Sequence, residues 1–317
     1  MIIVTGATGF IGSSLVKYLN SMDRNDLILV DDIKYLKKKR NINNLKFKET
    51  VGINNFWNWI KENKSLNIQA IFHLGACSDT LEKNIDYLYE NNIVYSQKLW
   101  DTAIELDSKF IYASSAATYG DGKLGFSDDH KLIPQLKPLN PYGQSKQYFD
   151  QWVLTQKITP VQWAGLKYFN VYGPGEAHKG RMASVVWHFI QQLERGENIK
   201  LFDASHGFNA GDQKRDFIYI EDALKMTLYI LSNNLESGIY NIGTGKAKSF
   251  NELANALLNS NVSLNSEYIP FPKDLLDYYQ AYTCAEMNKL QKAGFDDITV
   301  DLELGVKLYL QSYQKKI

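Results

Sequence analysis

A chain of 317 residues, 44% hydrophobic and 22% charged, is long enough for one large core or two domains. Its 35 basic residues balance 35 acidic ones, so bulk electrostatics favour neither nucleic acid nor an anionic membrane as partner. Two cysteines, Cys77 and Cys284, make no disulfide framework and lack metal-ligand spacing, and no apolar run has the length of a membrane span. With no signal peptide ahead of the first strand, the sequence reads as soluble, cytoplasmic and without a metal.

Met1-Ile2-Ile3-Val4-Thr5 forms a short apolar strand that opens into Gly6-Ala7-Thr8-Gly9-Phe10-Ile11-Gly12. An amphipathic helix follows to about Asn20, then a second strand, Leu27-Ile28-Leu29-Val30-Asp31. A glycine loop between strand and helix suits a dinucleotide. Gly6 permits the tight turn, Gly9 admits a pyrophosphate to the backbone, and Gly12 permits close helix packing. The helix N-terminus supplies unpaired N–H groups and a favourable dipole.

Asp31 ends the second strand about twenty residues after the loop, the place of an acid that holds the adenosine ribose of NAD. Asp32 stands beside it. Lys34 and the run Lys37-Lys38-Lys39-Arg40 follow, and they would suit the 2′-phosphate of NADP. NADP is the expected cofactor, with NAD the alternative.

Ile71-Phe72-His73-Leu74-Gly75-Ala76-Cys77-Ser78 is a third strand running into a small-residue turn, with Asn91 and Asn92 on the helix behind it. His73 reads as a hydrogen-bonded strand-end residue, and Cys77 as a small buried filler. Phe110-Ile111-Tyr112-Ala113-Ser114-Ser115 is a buried strand ending in hydroxyls, where ligands lie in an open parallel sheet. Tyr142 and Lys146, four apart on a helix, project from one face. The ammonium favours the phenolate, which gives a base for a sugar or alcohol hydroxyl while a cofactor takes the hydride. Ser115, Tyr142 and Lys146 then form a Ser–Tyr–Lys arrangement.

Further on, Arg181 to about Arg195 reads as a helix carrying His188, and Lys200 to Ser205 as a strand and turn. Late helices are expected near 250–259 and 300–314. The fold expectation is α/β: a doubly wound parallel sheet over 1–170 with a smaller mixed α/β domain over 171–317. Segments near 215–245 return to the large sheet, because Phe217-Ile218-Tyr219-Ile220 and Ile239-Tyr240-Asn241-Ile242 look like strands.

With these motifs the chain resembles the nucleotide-sugar epimerases and dehydratases of the extended short-chain dehydrogenase/reductase superfamily. Within that group it is similar to the ADP-glyceromanno-heptose 6-epimerases. Tyr168-Phe169-Asn170-Val171-Tyr172-Gly173-Pro174 is shared widely in the group. His178-Lys179-Gly180 with Met182-Ala183-Ser184, and Tyr279-Gln280-Ala281, are narrower signals.

The resemblance implies oxidation of C6 of an ADP-heptose and re-reduction from the other face. Two acid–base groups are then needed, Tyr142 and, by family match, Lys179. Cofactor contacts implied beyond the glycines are Phe10, Ile11, Asp31, Asp32 and Lys38. Leu74, Gly75, Ala76, Cys77, Ser78, Asn91 and Val171 join them, with Tyr142, Lys146 and Lys179 near the nicotinamide. Substrate contacts implied are Ser115, Asn170, Arg181, His188, Phe202, Asp203, Ala204, Ser205, Arg215 and Tyr279. Relatives commonly have a small residue where this chain has Arg181. A homopentamer and a role in lipopolysaccharide core synthesis are also implied. The alternatives are C4 epimerisation, 4,6-dehydration and a non-catalytic dinucleotide-binding regulator. The dehydratase is disfavoured because Thr118 is followed by Tyr119-Gly120 rather than an Asp-Glu pair.

Overall fold

The structure is a computed structural model that describes residues 1–37, 41–258, 264–297 and 299–314. Lys38, expected at the cofactor, lies outside the described residues. Six strands come first along the chain: β1 Ile2–Thr5, β2 Leu27–Asp31, β3 Glu49–Gly52, β4 Ala70–His73, β5 Lys109–Ser115 and β6 Trp163–Tyr168. After β7 Asn170–Tyr172, β8 Ile199–Phe202 and β9 Lys214–Tyr219 comes β10 Gly238–Ile242, which joins the first six. The sheet order is β3-β2-β1-β4-β5-β6-β10, every pairing parallel. Strands buried on both faces read as unbroken apolar runs, as β1 and β4 do.

This is the doubly wound sheet the sequence predicts. Strand order reverses between β1 and β4, and a ligand crevice opens outside the carboxyl ends of such strands. Gly6 and Gly75 follow those two strands and meet there.

Of the two late segments expected on the large sheet, Ile239–Ile242 lies on it, within β10. Phe217–Tyr219 does not. β10 occupies the free edge of β6, so β9 pairs instead with β7 in parallel and with β11 (Ala247–Ser249) in antiparallel. A third, two-stranded sheet joins β8 to β12, Ser266–Ile269.

The helix expected from Arg181 starts later, at Val185, and ends at Glu194. Ser184 stops it from beginning sooner: its backbone is extended and its side chain accepts from the Trp187 N–H at 3.2 Å. Arg181 lies in a preceding 3₁₀ turn, Ala177–Met182. The late helices run Phe250–Leu258 and Leu302–Gln314.

Candidate active site

Gly6 has φ of 64°, and a Cβ on it would lie 2.5 Å from the Gly75 Cα, so the loops after β1 and β4 touch backbone to backbone. The first helix, Phe10–Ser21, begins here, with Gly9 as its N-cap and Gly12 packed on the Gly6 carbonyl. Its first N–H groups have no intrahelical acceptors. At the end of β2, Asp31 is already engaged. Its Oδ2 accepts from the Thr8 N–H (2.9 Å) and hydroxyl (2.7 Å), and its Oδ1 from the Asp32 N–H (2.8 Å). Asp32 pairs with Lys34 at 3.2 Å.

The turn after β4 is held from behind by Asn92. This buried amide accepts from the Cys77 N–H (2.8 Å) and donates to the Cys77 carbonyl (3.0 Å) and to the Ser145 hydroxyl (3.0 Å). Asn91, the neighbour expected at the cofactor, donates to Asn92 at 3.1 Å. The backbone from Tyr89 to Val94 is wound as a π-helix, a widening that often accompanies functional sites. Beneath it, buried His73 contacts the Thr5 hydroxyl (2.7 Å) and the Ser96 hydroxyl (2.8 Å), and burial pushes its pKa down to about 3. It is a neutral fixture. Cys77 is only half-buried, and burial pushes its thiol up, so it stays protonated.

Ser115 ends β5 and caps the short turn that follows, its hydroxyl accepting from the Ala117 N–H at 3.1 Å. The helix Pro141–Thr155 starts against that turn. Asn140 caps it, accepting the Gly143 N–H at 2.8 Å, and a Cβ on Gly143 would press the Ala117 carbonyl oxygen at 3.0 Å. Burial raises the pKa of half-buried Tyr142, and a hydrogen bond between its hydroxyl and that of Ser115 pulls it back. Spacing alone assigns that lowering to Lys146. The Lys146 ammonium instead donates to the Ala113 carbonyl at 2.8 Å, and burial drives its pKa down to about 8.

Lys179 reaches the site from the loop after β7. Its ammonium lies 5.9 Å from the centre of the Phe10 ring, at the start of the Phe10–Ser21 helix. Burial pushes this lysine down, and the Glu176 carboxylate opposes the shift. Glu176, fully buried, anchors the loop by accepting from the Gly173 N–H (3.2 Å) and the Ser184 hydroxyl (2.8 Å). Asn41 ties the same loop to the glycine loop, donating to the Thr8 and Gly175 carbonyls at 3.1 Å each. Arg181 closes the other side on Asp79, 2.7 Å away.

Among the expected substrate contacts, Arg215 and Tyr279 come together. The buried guanidinium lies 4.7 Å from the Tyr279 ring centre and 5.6 Å from that of Phe250, and donates to the Lys214 carbonyl at 2.9 Å. Phe202 meets Tyr279 edge-on at 6.4 Å. Ser205 is reached through Gln213, which donates to its hydroxyl at 2.9 Å, while Asp203 and Ala204 are exposed beyond β8. His188 lies apart from this group, 3.3 Å from the Arg181 carbonyl. Asn170 is exposed on β7, beside half-buried Val171, and the Thr283 hydroxyl approaches it at 3.4 Å.

The sequence pattern of the NAD dependent epimerase/dehydratase family matches residues 2–243. The chain belongs to that family. It is 45% identical to the ADP-L-glycero-D-manno-heptose-6-epimerase of Fusobacterium nucleatum, over all of this chain and 98% of that protein. The enzyme of the same name from Brachyspira hyodysenteriae is 41% identical, over 99% of this chain and 98% of its own. The crystal structure of the Helicobacter pylori ADP-L-glycero-D-manno-heptose-6-epimerase matches with a TM-score of 0.83 at 29% identity, covering 99% of this chain and 96% of that one. The resemblance drawn from the motifs, to the heptose 6-epimerase branch of the family, is borne out.

Three groups at this family site are not singled out by sequence reasoning. Asn41 has no signal beyond lying near the basic run. Gln280 does, since it falls in the Tyr-Gln-Ala signature; it donates to the Gly120 (2.7 Å) and Ala116 (3.2 Å) carbonyls, tying the late loop to the turn after Ser115. The third is the buried pair Asp150 and Lys167, 2.7 Å apart. Among the described residues, no group of three or more His, Cys, Asp or Glu is placed to hold a metal, and no helix is long and apolar enough to cross a membrane.

Proposed function

We propose that this chain interconverts ADP-D-glycero-β-D-manno-heptose and its L-glycero epimer at C6, using bound NADP. What supports the reading is that Tyr142, hydrogen-bonded to Ser115 at the end of β5, and Lys179, 5.9 Å from the Phe10 ring at the start of the first helix, are carried by different elements. An epimerase must move a proton at one hydroxyl in either of two configurations, and proton transfer follows hydrogen-bond reach, so two groups on two supports suit it. The shared name of the relatives at 41–45% identity supplies the sugar.

The residues fit a dinucleotide. The Gly6–Gly75 contact removes side chains from the crevice, and the open N-terminus of the Phe10–Ser21 helix faces it. A bound nicotinamide would supply the hydride acceptor and donor for the sugar carbon. Ser115 holds the reacting oxygen, Tyr142 moves its proton on one side, and Lys179 does so for the opposite epimer. Lys146, held by the Ala113 carbonyl one turn from Tyr142, is placed to hold the nicotinamide ribose. Arg215, flanked by the Tyr279 and Phe250 rings, holds the diphosphate through its planar fork of donors.

The NADP choice draws support from Asp31. A carboxylate has about four acceptor positions, and three N–H or O–H donors already occupy Asp31, which leaves little for a ribose diol. The cofactor released on denaturing the purified protein should be NADP; NAD alone would reverse this choice. Lys179→Met should retain cofactor and lose epimerisation. Near-normal turnover in that variant would remove Lys179 from the mechanism.

A further inference from the structure

Asp150 and Lys167 are fully buried and 2.7 Å apart. The Asp150 carboxylate also accepts from the Tyr112 hydroxyl (2.9 Å) and the Ser114 hydroxyl (2.7 Å). Lys167 donates to the Thr118 hydroxyl (2.6 Å), which in turn donates to the Ser115 carbonyl (2.7 Å). Asp150 lies one turn beyond Lys146 and two beyond Tyr142, on the same face of the helix. Tyr112 and Ser114 flank Ala113, whose carbonyl takes the Lys146 ammonium. The carboxylate thus joins the Tyr–Lys helix to the strand that carries Ser115, from both sides of the residue that holds Lys146. A buried ion pair is an expensive way to pack a helix on a sheet, since apolar residues of similar volume often do as well or better.

We propose that Asp150 is a positioning residue for the oxidation at Tyr142: it fixes Ser115 and the Tyr142 helix to one another and sets a buried carboxylate one turn from the Lys146 ammonium. This rests on the roles given to Tyr142 and Lys146 above. Tyr142 and Asp150 stand one turn to either side of Lys146 on its helix, His73 and Cys77 bear on it from β4 and its turn, and Tyr112 from β5 and Lys167 from β6 contact Asp150. His73 is neutral, and burial keeps the Cys77 thiol and the Tyr112 phenol protonated. Asp150 is the anion that remains. Burial pulls the Lys146 pKa to about 8, and the Asp150 carboxylate is the main force resisting further loss.

Competitive acetylation of the folded, substrate-free protein, with mass spectrometry of the Lys146 peptide across pH, reads the titration of this one amine. The informative comparison is Lys167→Met against the double variant Asp150→Asn/Lys167→Met, which differ only in the charge at position 150. It holds even if Asp150→Asn alone fails to fold with Lys167 left unpaired. Lys146 should titrate about 1 pH unit lower in the double variant. The alkaline limb of kcat should move down with it, and Asp150→Glu should restore part of both. Identical Lys146 titration in the two variants would overturn the proposal. A wild-type protein that forms no heptose epimer would sink the functional reading and leave the labelling result intact.

Discussion

Arg181 Nη2 lies 2.7 Å from Asp79 Oδ2, tying the loop that carries Lys179 to the turn that follows β4. Family resemblance assigns this arginine to the substrate; the structure gives its guanidinium a carboxylate partner. The pair is solvated, with 66% and 29% of the two side chains exposed, and such pairs contribute about 0–1 kcal/mol. Arg181→Ser should therefore shift Tm by no more than about 4 °C. The KM for the nucleotide sugar should change less than about threefold, well under the 1.4 kcal/mol of a tenfold effect. A tenfold or larger rise in KM would return Arg181 to the substrate.

Arg215 is the opposite case. Its guanidinium is buried, burial pushes its pKa down, and among the described residues no carboxylate pairs with it. A buried cation between two aromatic rings, with only a carbonyl and a phenol as partners, is suited to an incoming anion. Arg215→Met should raise KM about 30-fold or more, the loss of roughly 2 kcal/mol from charged hydrogen bonds. Tm should hold or rise, because the variant no longer buries an unpaired charge. An unchanged KM would exclude a phosphate role.

Lys146 links stability to pH. In the folded protein its ammonium gives up the proton near pH 8, against an ordinary 10.5. Between those values the unfolded chain holds more protons, so wild-type stability from this group rises with pH; below pH 8 the whole penalty applies. That penalty is roughly 3 kcal/mol. Lys146→Met should be more stable than wild type at pH 7 by up to this amount, with the advantage fading toward pH 10. Its turnover should fall by about 10² or more. Denaturant melts at both pH values check the sign, and an advantage that grows with pH would contradict it.

Asn92, rather than Asn91, holds the turn that follows β4. Asn92→Ala leaves the Cys77 N–H and carbonyl without this partner and should cost about 2–4 kcal/mol. Nucleotide retained through desalting should fall with it. Asn91→Ala should cost less than about 1 kcal/mol in the same denaturant melts, since among the described residues its side chain donates one hydrogen bond, to Asn92. A reversed order of the two variants would place the brace at Asn91.

What the sequence makes legible here is local. The glycine loop between β1 and its helix, the acid ending β2 and the Tyr–Lys face each follow from a few consecutive residues. What stays hidden is the partner of a polar side chain far along the chain. Asp79 and Arg181 are 102 positions apart, and Asn41 and Gly175 are 134 apart, so no periodicity announces them. The Asp150–Lys167 pair is invisible for the same reason, although Lys167 looks like an ordinary residue before the Tyr-Phe-Asn run. β3 escapes notice because an edge strand of four residues, with Glu49 and Thr50 exposed, shows little apolar alternation. The membership of β9 in a small sheet depends on β10 having taken the edge of β6, which is a fact of topology rather than of pattern.

The most direct measurement is to incubate the cofactor-loaded protein with ADP-D-glycero-β-D-manno-heptose in D₂O and follow C6 by NMR. The account predicts a mixture of the two C6 epimers in which C6 keeps its original hydrogen, because the hydride leaves and returns on the bound nucleotide without meeting solvent. No second epimer, or an epimer carrying deuterium at C6, would contradict it.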